Sequence, residues 1–380
     1  MKILYTCTYS AGISGVWNRV YNVAREMIKK GHEVFVFSSN LEAGSLKKVP
    51  EHEVVDRINC YRFPVRVTLS KNALGFGKSS DKMREKLKEI NPDVVDCQTY
   101  RHSEGTIVSS EAEKLGIPCF LTTHAPFVSV GVRGIVLSTI TRLYDAAYSG
   151  NVLKKFRKII AISKWEYPYL TKLGVESNKI AYVPNGIPVE FFKKERKLGR
   201  EVRKVLFFGR IAPVKDIETL LRAWALIEKA NNKVVLEIIG PAELEYRKRL
   251  DEMIMELKLE NVRFGEAVFA LNEKIRAYNN AEVFVLPSKR EGMPQSLIEA
   301  MSAGDIVIAS DITACREIVK NGKNGYLFRQ GNAEDLAKKL DFAIKSYRKL
   351  GGVVEKAKKD SSSFGWDRIA DRLEKLYKSK

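Results

Sequence analysis

Residues 282 to 304 read E-V-F-V-L-P-S-K-R-E-G-M-P-Q-S-L-I-E-A-M-S-A-G and carry more functional information than the rest of the chain together. The apolar run Val283 to Leu286 reads as a buried strand, and after Pro287 the chain turns into a helical pattern at the carboxyl end of that strand. Pro294 suits the first helical position, because its missing N–H would have no partner there. The amides of Gln295, Ser296 and their neighbours then point outward at the positive end of the helix dipole. Such an end binds anions, phosphate above all. Two acids bracket it, Glu291 before the helix and Glu299 one turn inside it. A carboxylate pair beside a phosphate site is not expected to serve charge balance. It fits two groups that accept hydrogen bonds from neutral sugar hydroxyls.

The run E-G-M-P-Q-S-L-I-E resembles the E-x7-E motif of the retaining glycosyltransferases of family 4, enzymes of the two-domain B fold. The resemblance spans the whole chain and is strongest in the second half. It implies an α/β architecture of two Rossmann-like, doubly wound domains facing across a cleft, with a C-terminal helix that crosses back to the first domain. It also implies that Glu291 faces the transferred sugar and that Glu299 holds ribose hydroxyls. Gly292, Met293, Pro294, Gln295 and Ser296 would line the donor between them.

Other matches to the family fall just after strands, where open α/β sheets bind ligands. The first loop, C-T-Y-S-A-G-I-S-G-V-W-N-R-V, places Gly12 and Gly15 between strand and helix. It is not G-x-G-x-x-G, and it resembles the family's Gly-Gly loop except that Ser14 stands where the first of two adjacent glycines is usual. Gly15 would still permit close backbone approach. His124 in L-T-T-H-A-P-F resembles the histidine that lies beside the transferred sugar. The segment 126 to 150, with Phe127, Val130, Val132, Ile135, Arg133 and Arg142, is the expected acceptor wall. In V-L-F-F-G-R-I-A-P-V-K-D, Gly209, Arg210 and Lys215 match the family's G-R-x5-K pattern. Breaking a sugar–phosphate bond deposits negative charge on a nucleoside diphosphate, and fixed cations stabilise it as it develops. Sugar transferases that use a divalent metal hold it with Asp-x-Asp, a pair this sequence lacks. Arg210 and Lys215 are therefore expected to replace the metal, with no cofactor beyond the sugar nucleotide. For the base, Gly240 and the backbone around Glu266 to Val268 are the expected contacts. Asn185 and Gly186 in P-N-G-I-P resemble a turn at the domain joint and read best as a hinge.

Composition sets the frame. A chain of 380 residues, 45% hydrophobic and 29% charged, holds about two globular domains of ordinary size. No apolar run reaches about 18 residues, so no spanning helix is expected. M-K-I-L-Y-T-C reads as a first strand rather than a signal peptide. The expected location is cytoplasmic, at most peripheral on the inner membrane face. Cys7, Cys60, Cys97, Cys119 and Cys315 are scattered singly and read as small buried residues rather than a metal site or disulfide framework. The net charge of +19 attracts nucleic acid, anionic membrane and phosphorylated ligands alike. The run N-V-L-K-K-F-R-K-I-I (151 to 160), with interleaved apolar residues, suggests contact with lipid headgroups. The scarcity of glutamine, only Gln98, Gln295 and Gln330, points to a thermophilic source.

Apolar strand-like runs alternate with helical periods, the pattern of parallel sheets covered on both faces. The first series places strands near 2 to 7, 33 to 38, 93 to 97, 117 to 122, 158 to 162 and 179 to 183. The second places them near 202 to 208, 233 to 239, 261 to 264, 282 to 286, 305 to 309 and 325 to 328. The expected domains are 1 to 190, with a terminal helix of about 364 to 380 anchored by Trp366, and 200 to 363, joined by a hydrated linker. The resulting expectation is a retaining transfer of a hexose from a UDP- or GDP-sugar to a hydroxyl of a sugar, glycan or lipid-linked acceptor, with no nucleic-acid partner. An epimerase or hydrolase on the same fold is the competing enzyme class, and a charge-driven binder the competing non-enzymatic one.

Overall fold

In this computed structural model the described residues are 1–12, 14–67, 74–127, 150–193 and 201–379, together with 139, 141, 143 and 145. They form two compact units, Met1–Gly186 with Trp366–Lys380, and Ile187–Gly365.

The first unit is built on an eight-stranded sheet. Its order is Ile180–Tyr182, Lys158–Ala161, Cys119–Thr122, Val94–Gln98, Lys2–Tyr9, Glu33–Ser39, Ile58–Phe63 and His52–Val55. Every neighbouring pair is parallel except the last, which closes one edge antiparallel. The second unit carries six parallel strands in the order Val262–Gly265, Val235–Ile239, Lys204–Phe208, Val283–Leu286, Ile306–Ser310 and Tyr326–Phe328. Parallel strands are covered by helices on both faces, so their sequences run apolar without alternation. Val283–Leu286 and Ile306–Ser310 are buried at every position.

Two strands of this eight-stranded sheet were not legible in advance, His52–Val55 and Ile58–Phe63. They are joined by Asp56 and Arg57, both with positive φ (47° and 70°). A tight hairpin demands that geometry, but Asn-Gly or Asp-Gly is its usual sequence sign, and Asp-Arg hides it. The five cysteines are free thiols and all buried, as expected.

The joint also falls elsewhere than the sequence suggested. Ile187 donates its amide to Phe364 and bridges Gly365, and Phe191 is buried in the core of the second unit. The P-V-E-F-F stretch therefore packs with that unit instead of forming linker. The rest of the anticipated linker, 194–200, lies outside the described residues.

The terminal helix, Trp366–Lys378, buries Trp366, Ile369, Ala370, Leu373 and Tyr377, one stripe at helical spacing. That stripe joins Ile3, Tyr5, Val20 and Val23 in one apolar cluster, so the chain's end completes the core of the unit that its beginning founds. Tyr377 donates its hydroxyl to the buried carboxylate of Asp96 at 2.5 Å. At the rim Glu374 meets Lys378 at 2.6 Å, Lys30 at 3.1 Å and His32 at 3.0 Å.

These donors, Lys378 and Lys30 first, draw the Glu374 carboxyl down from 4.5 to about 2. The folded value lies below the unfolded one, so the unfolded chain binds the proton more readily. The stabilisation is complete above the unfolded value and is lost as pH falls through the window from 4.5 to about 2. Thermal melts across that window should show Glu374→Gln with a flatter acid limb than the wild type. Parallel acid limbs would contradict the assignment.

Candidate functional site

In each unit, considered by itself, polar side chains lie at the carboxyl ends of parallel strands. In the second unit the strand Val283–Leu286 leads through 287–294 into the helix Gln295–Ala303. Pro294 is the residue just before this helix rather than its first member, with φ −80° and ψ 85°, and no side chain caps the end. The positive helix end expected from the sequence is therefore present, shifted by one residue. Gly292 and Met293 form the approach to it, and Gln295 and Ser296 open its first turn.

Glu291 is not a solitary acceptor. Its Oε1 receives Lys215 Nζ at 2.6 Å and Ser288 Oγ at 2.6 Å, and its side chain is 11% exposed. The meeting is arranged by the backbone. Lys289 donates its amide to Val214 at 2.9 Å and its ammonium to Asp216 at 3.3 Å, which ties the loop before the helix to the short 3-10 turn Pro213–Lys215. Glu299, 3% exposed, accepts Lys274 Nζ at 2.5 Å and Tyr278 Oη at 2.8 Å. Lys274 and Tyr278 lie four apart on the helix Leu271–Asn279, hence on one face. Burial and the adjacent Glu299 carboxylate push the Tyr278 hydroxyl far up, so it stays a proton donor. The expectation that these acids serve no charge balance is thus corrected, because a buried carboxylate needs a cation or several donors and each has a lysine.

Arg210 departs from its expected partner. Its guanidinium is 60% exposed and bonds Glu243 at 3.1 Å, while Lys215 is turned inward to Glu291. Gly209 follows the strand Lys204–Phe208 and donates its amide to the Ile239 carbonyl at 3.0 Å. Gly240 marks a close approach, since with φ 150° an added Cβ would fall 1.9 Å from the Gly209 carbonyl oxygen. The proposed base contacts Glu266 to Val268 follow the strand Val262–Gly265 as irregular chain. Arg290, beside Glu291, was not singled out from sequence, and its Nη1 is buried with no hydrogen-bond partner among the described residues.

In the first unit, Ser14 explains its own departure from the Gly-Gly pattern. It caps the helix Gly15–Lys29, accepting Trp17 N at 3.4 Å. Gly12 (φ 75°) is the true close approach, with an added Cβ 2.6 Å from the Ala43 oxygen, whereas among the described residues nothing stands within 4 Å of one on Gly15. His124 follows the strand Cys119–Thr122, and its Nε2 lies 2.8 Å from Gln98 Oε1. Burial, with Arg19 and His102 nearby, holds its pKa well below the usual imidazole range. Asn185 accepts a bond from the buried Arg19 at 2.8 Å. Most of the expected acceptor wall, including Val130, Val132, Arg133, Ile135 and Arg142, lies outside the described residues; Phe127 stacks on Tyr169 with centroids 5.3 Å apart.

The basic run 151 to 160 is more committed than its sequence suggests. Leu153, Phe156, Ile159 and Ile160 point into the core, Lys155 bonds Glu113 and Ser110, and Lys158 bonds Asn178. Exposed cations remain at Lys154 and Arg157, without the apolar face expected to meet lipid. No helix among the described residues is long and apolar enough to cross a membrane.

Both halves of the chain match known families. Residues 189–360 match Glycosyl transferases group 1, and residues 13–191 match Glycosyltransferase Family 4. An uncharacterized glycosyltransferase of Haemophilus influenzae is 27% identical over 98% of both chains. The phosphatidyl-myo-inositol mannosyltransferase of Mycolicibacterium smegmatis is 26% identical over 100% of this chain and 94% of its own. Among solved structures, Anabaena HepE in complex with UDP superposes with a TM-score of 0.78 at 18% identity, covering 99% of each chain. At that identity the likeness is one of fold, the two-domain B fold of glycosyltransferases.

The two glycine environments give a paired prediction. Gly240→Ala should destabilise the second unit by about 1–3 kcal/mol, as overpacking against backbone does. Gly15→Ala, at an open helix start, should stay within about 0.5 kcal/mol of wild type. Denaturant titration of both variants checks this, and equal stability of the two would refute the close approach at Gly240.

Proposed function

The chain belongs to the glycosyltransferases of family 4, and from that premise we propose that it moves a hexose from a nucleotide-diphospho-sugar to a hydroxyl acceptor, retaining the configuration at the anomeric carbon. The observation that carries the reading is the arrangement around the Gln295–Ala303 helix, with Lys215 and Glu291 joined before its open N-terminus and Glu299 held one turn inside.

Each part has a chemical task. The C1–O bond of the donor breaks with its electron pair on the leaving diphosphate, where Lys215, Arg210 and the helix N-terminus stabilise the new charge. The acceptor oxygen bonds C1 on the same face and its proton passes to the leaving phosphate oxygen. Arg210, exposed and bonded to a surface glutamate, swings from Glu243 to the phosphates when donor binds. Glu291, aimed by Lys215 and Ser288, accepts hydrogen bonds from sugar hydroxyls. Glu299, aimed by Lys274 and Tyr278, accepts those of the ribose. Gly15, Gly209, Gly240 and Gly292 let backbone come close to the donor, and Met293 to Ser296 line it. His124, in the first unit, is proposed to hydrogen-bond a sugar hydroxyl.

UDP is the first base to test, because HepE is described in complex with UDP and UDP-glucose. A lipid-linked or glycan acceptor is part of the same proposal, supported by the phosphatidyl-myo-inositol mannosyltransferase relative and by the +19 charge, which would hold the enzyme peripherally at an anionic surface. The two cations take the place of a metal, and no other cofactor enters.

Calorimetric titration with UDP-, GDP- and ADP-sugars in EDTA should show binding of one of them. Glu299→Ala should raise its dissociation constant in a protein that still folds, though less stably, because Lys274 and Tyr278 lose their acceptor. Lys215→Ala and Arg210→Ala should each lower turnover about a hundredfold. Silence from every donor with a folded protein, or near-normal turnover in both cation variants, would refute the proposal.

A further inference from the structure

His124 sits on backbone that needs to be held. Its φ is 57° and that of Ala125 is 53°, two consecutive non-glycine residues in the left-handed region. Such a turn persists only where its surroundings impose it. The imposing group is Glu166, 0% exposed, which closes the short turn Lys164–Glu166. Its Oε2 accepts Ala125 N at 3.0 Å and Thr123 Oγ1 at 2.5 Å. Its Oε1 accepts Ile162 N at 2.9 Å and Ser163 N at 3.1 Å. One carboxylate therefore clamps the turns that follow two neighbouring strands, Cys119–Thr122 and Lys158–Ala161. Its own capping box with Ser163 accounts for the Oε1 side, which organises the local turn. The Oε2 side reaches 41 residues back along the chain to the histidine loop and has no role in that cap.

The ring is fixed by a second residue. Gln98 Nε2 lies 3.4 Å from the Asp96 carbonyl oxygen, and only that amide orientation avoids setting two oxygens against each other. Gln98 Oε1 then faces His124 Nε2 at 2.8 Å, so the imidazole must carry its proton there. Nδ1 is left with its lone pair. Gln98 ends the strand Val94–Gln98 and is 1% exposed, so the amide cannot turn freely to accept another tautomer.

We propose that Glu166 and Gln98 are positioning residues that present His124 to the substrate in one orientation and one tautomer, proton on Nε2 and Nδ1 free to accept a hydrogen bond from a sugar hydroxyl. The substrate in this statement rests on the transferase reading, while the positioning does not. Neither residue touches substrate. Both act through the imidazole, Glu166 on its backbone and Gln98 on its ring.

The chain holds four histidines, so nitrogen-15 labelling of histidine in the full-length protein gives a spectrum simple enough to assign with a His124→Asn control. The expected wild-type signal for His124 is a neutral imidazole protonated on Nε2 that stays neutral as pH falls through the ordinary imidazole pKa, the direction in which burial moves it. Gln98→Leu removes the ring's acceptor and should give a mixture of both neutral tautomers. Glu166→Gln turns an amide against Ala125 N and Thr123 Oγ1 and should broaden or shift the His124 signal while the other three stay in place. If Glu166→Gln fails to fold, Gln98→Leu alone decides. A wild-type His124 protonated on Nδ1, or a pure Nε2–H signal surviving in Gln98→Leu, would overturn the proposal. In turnover, Gln98→Leu should lower kcat by about a hundredfold, the scale of a misplaced reacting group, with donor affinity unmoved. Equal loss of donor affinity would mean that Gln98 serves the fold and not the histidine. The spectra use neither donor nor acceptor. A chain that shows them but binds no sugar nucleotide would support the positioning role and defeat the transferase reading.

Discussion

A carboxylate withdrawn from water must be filled with donors, and this protein uses that requirement to place the loops of its candidate site. Glu291 can lie beside the helix N-terminus because Lys215 and Ser288 satisfy it, and their bonds drag the 213–216 turn against the 287–291 loop. Glu299 does the same for the Leu271–Asn279 helix through Lys274 and Tyr278. Glu166 repeats the device in the first unit. Truncating such a group would cost more than the contact it makes, since its partners would be left buried and unpaired. The same bonds that hold the carboxylates hold the geometry ready, so little has to be ordered when a ligand arrives.

Parallel sheets supply the platform. All strands bearing these residues run the same way, and their loops therefore emerge together at one edge of each sheet. Gly240 shows how tightly the edge is built, with two neighbouring strand ends so close that a single methyl would meet backbone. The helix that starts at Gln295 adds a field rather than a side chain. Its short length is enough, because the field of a helix end is concentrated in the first turn.

How much of this could be read from sequence depended on whether the determinant was local. The strand, turn and helix between Glu282 and Gly304 were legible because apolar burial, Pro294 and the small residues Ala300, Ala303 and Gly304 all lie within one stretch. The G-R-x5-K pattern found Lys215 for the same reason, but not the exposed course of Arg210, which is set by Glu243, 33 residues away. Lys274 and Tyr278 gave no sign of their partner Glu299. Glu166 lies in K-W-E-Y-P-Y-L, which reads as an ordinary helix start, and its reach to His124 depends on two strands being neighbours. The hairpin around Asp56 and Arg57 was hidden because its left-handed residues are not glycines. Long-range pairing and unusual backbone were the illegible parts, and both belong to the candidate site.

The reaction class can be tested without knowing the acceptor. Time-resolved proton NMR of the sugar released when an α-linked sugar nucleotide is slowly hydrolysed by the enzyme in EDTA reports which face is attacked. The account predicts that the α anomer appears first, with no loss of rate on removing divalent metal. First appearance of the β anomer, or a reaction that stops in EDTA and returns with added metal, would contradict it.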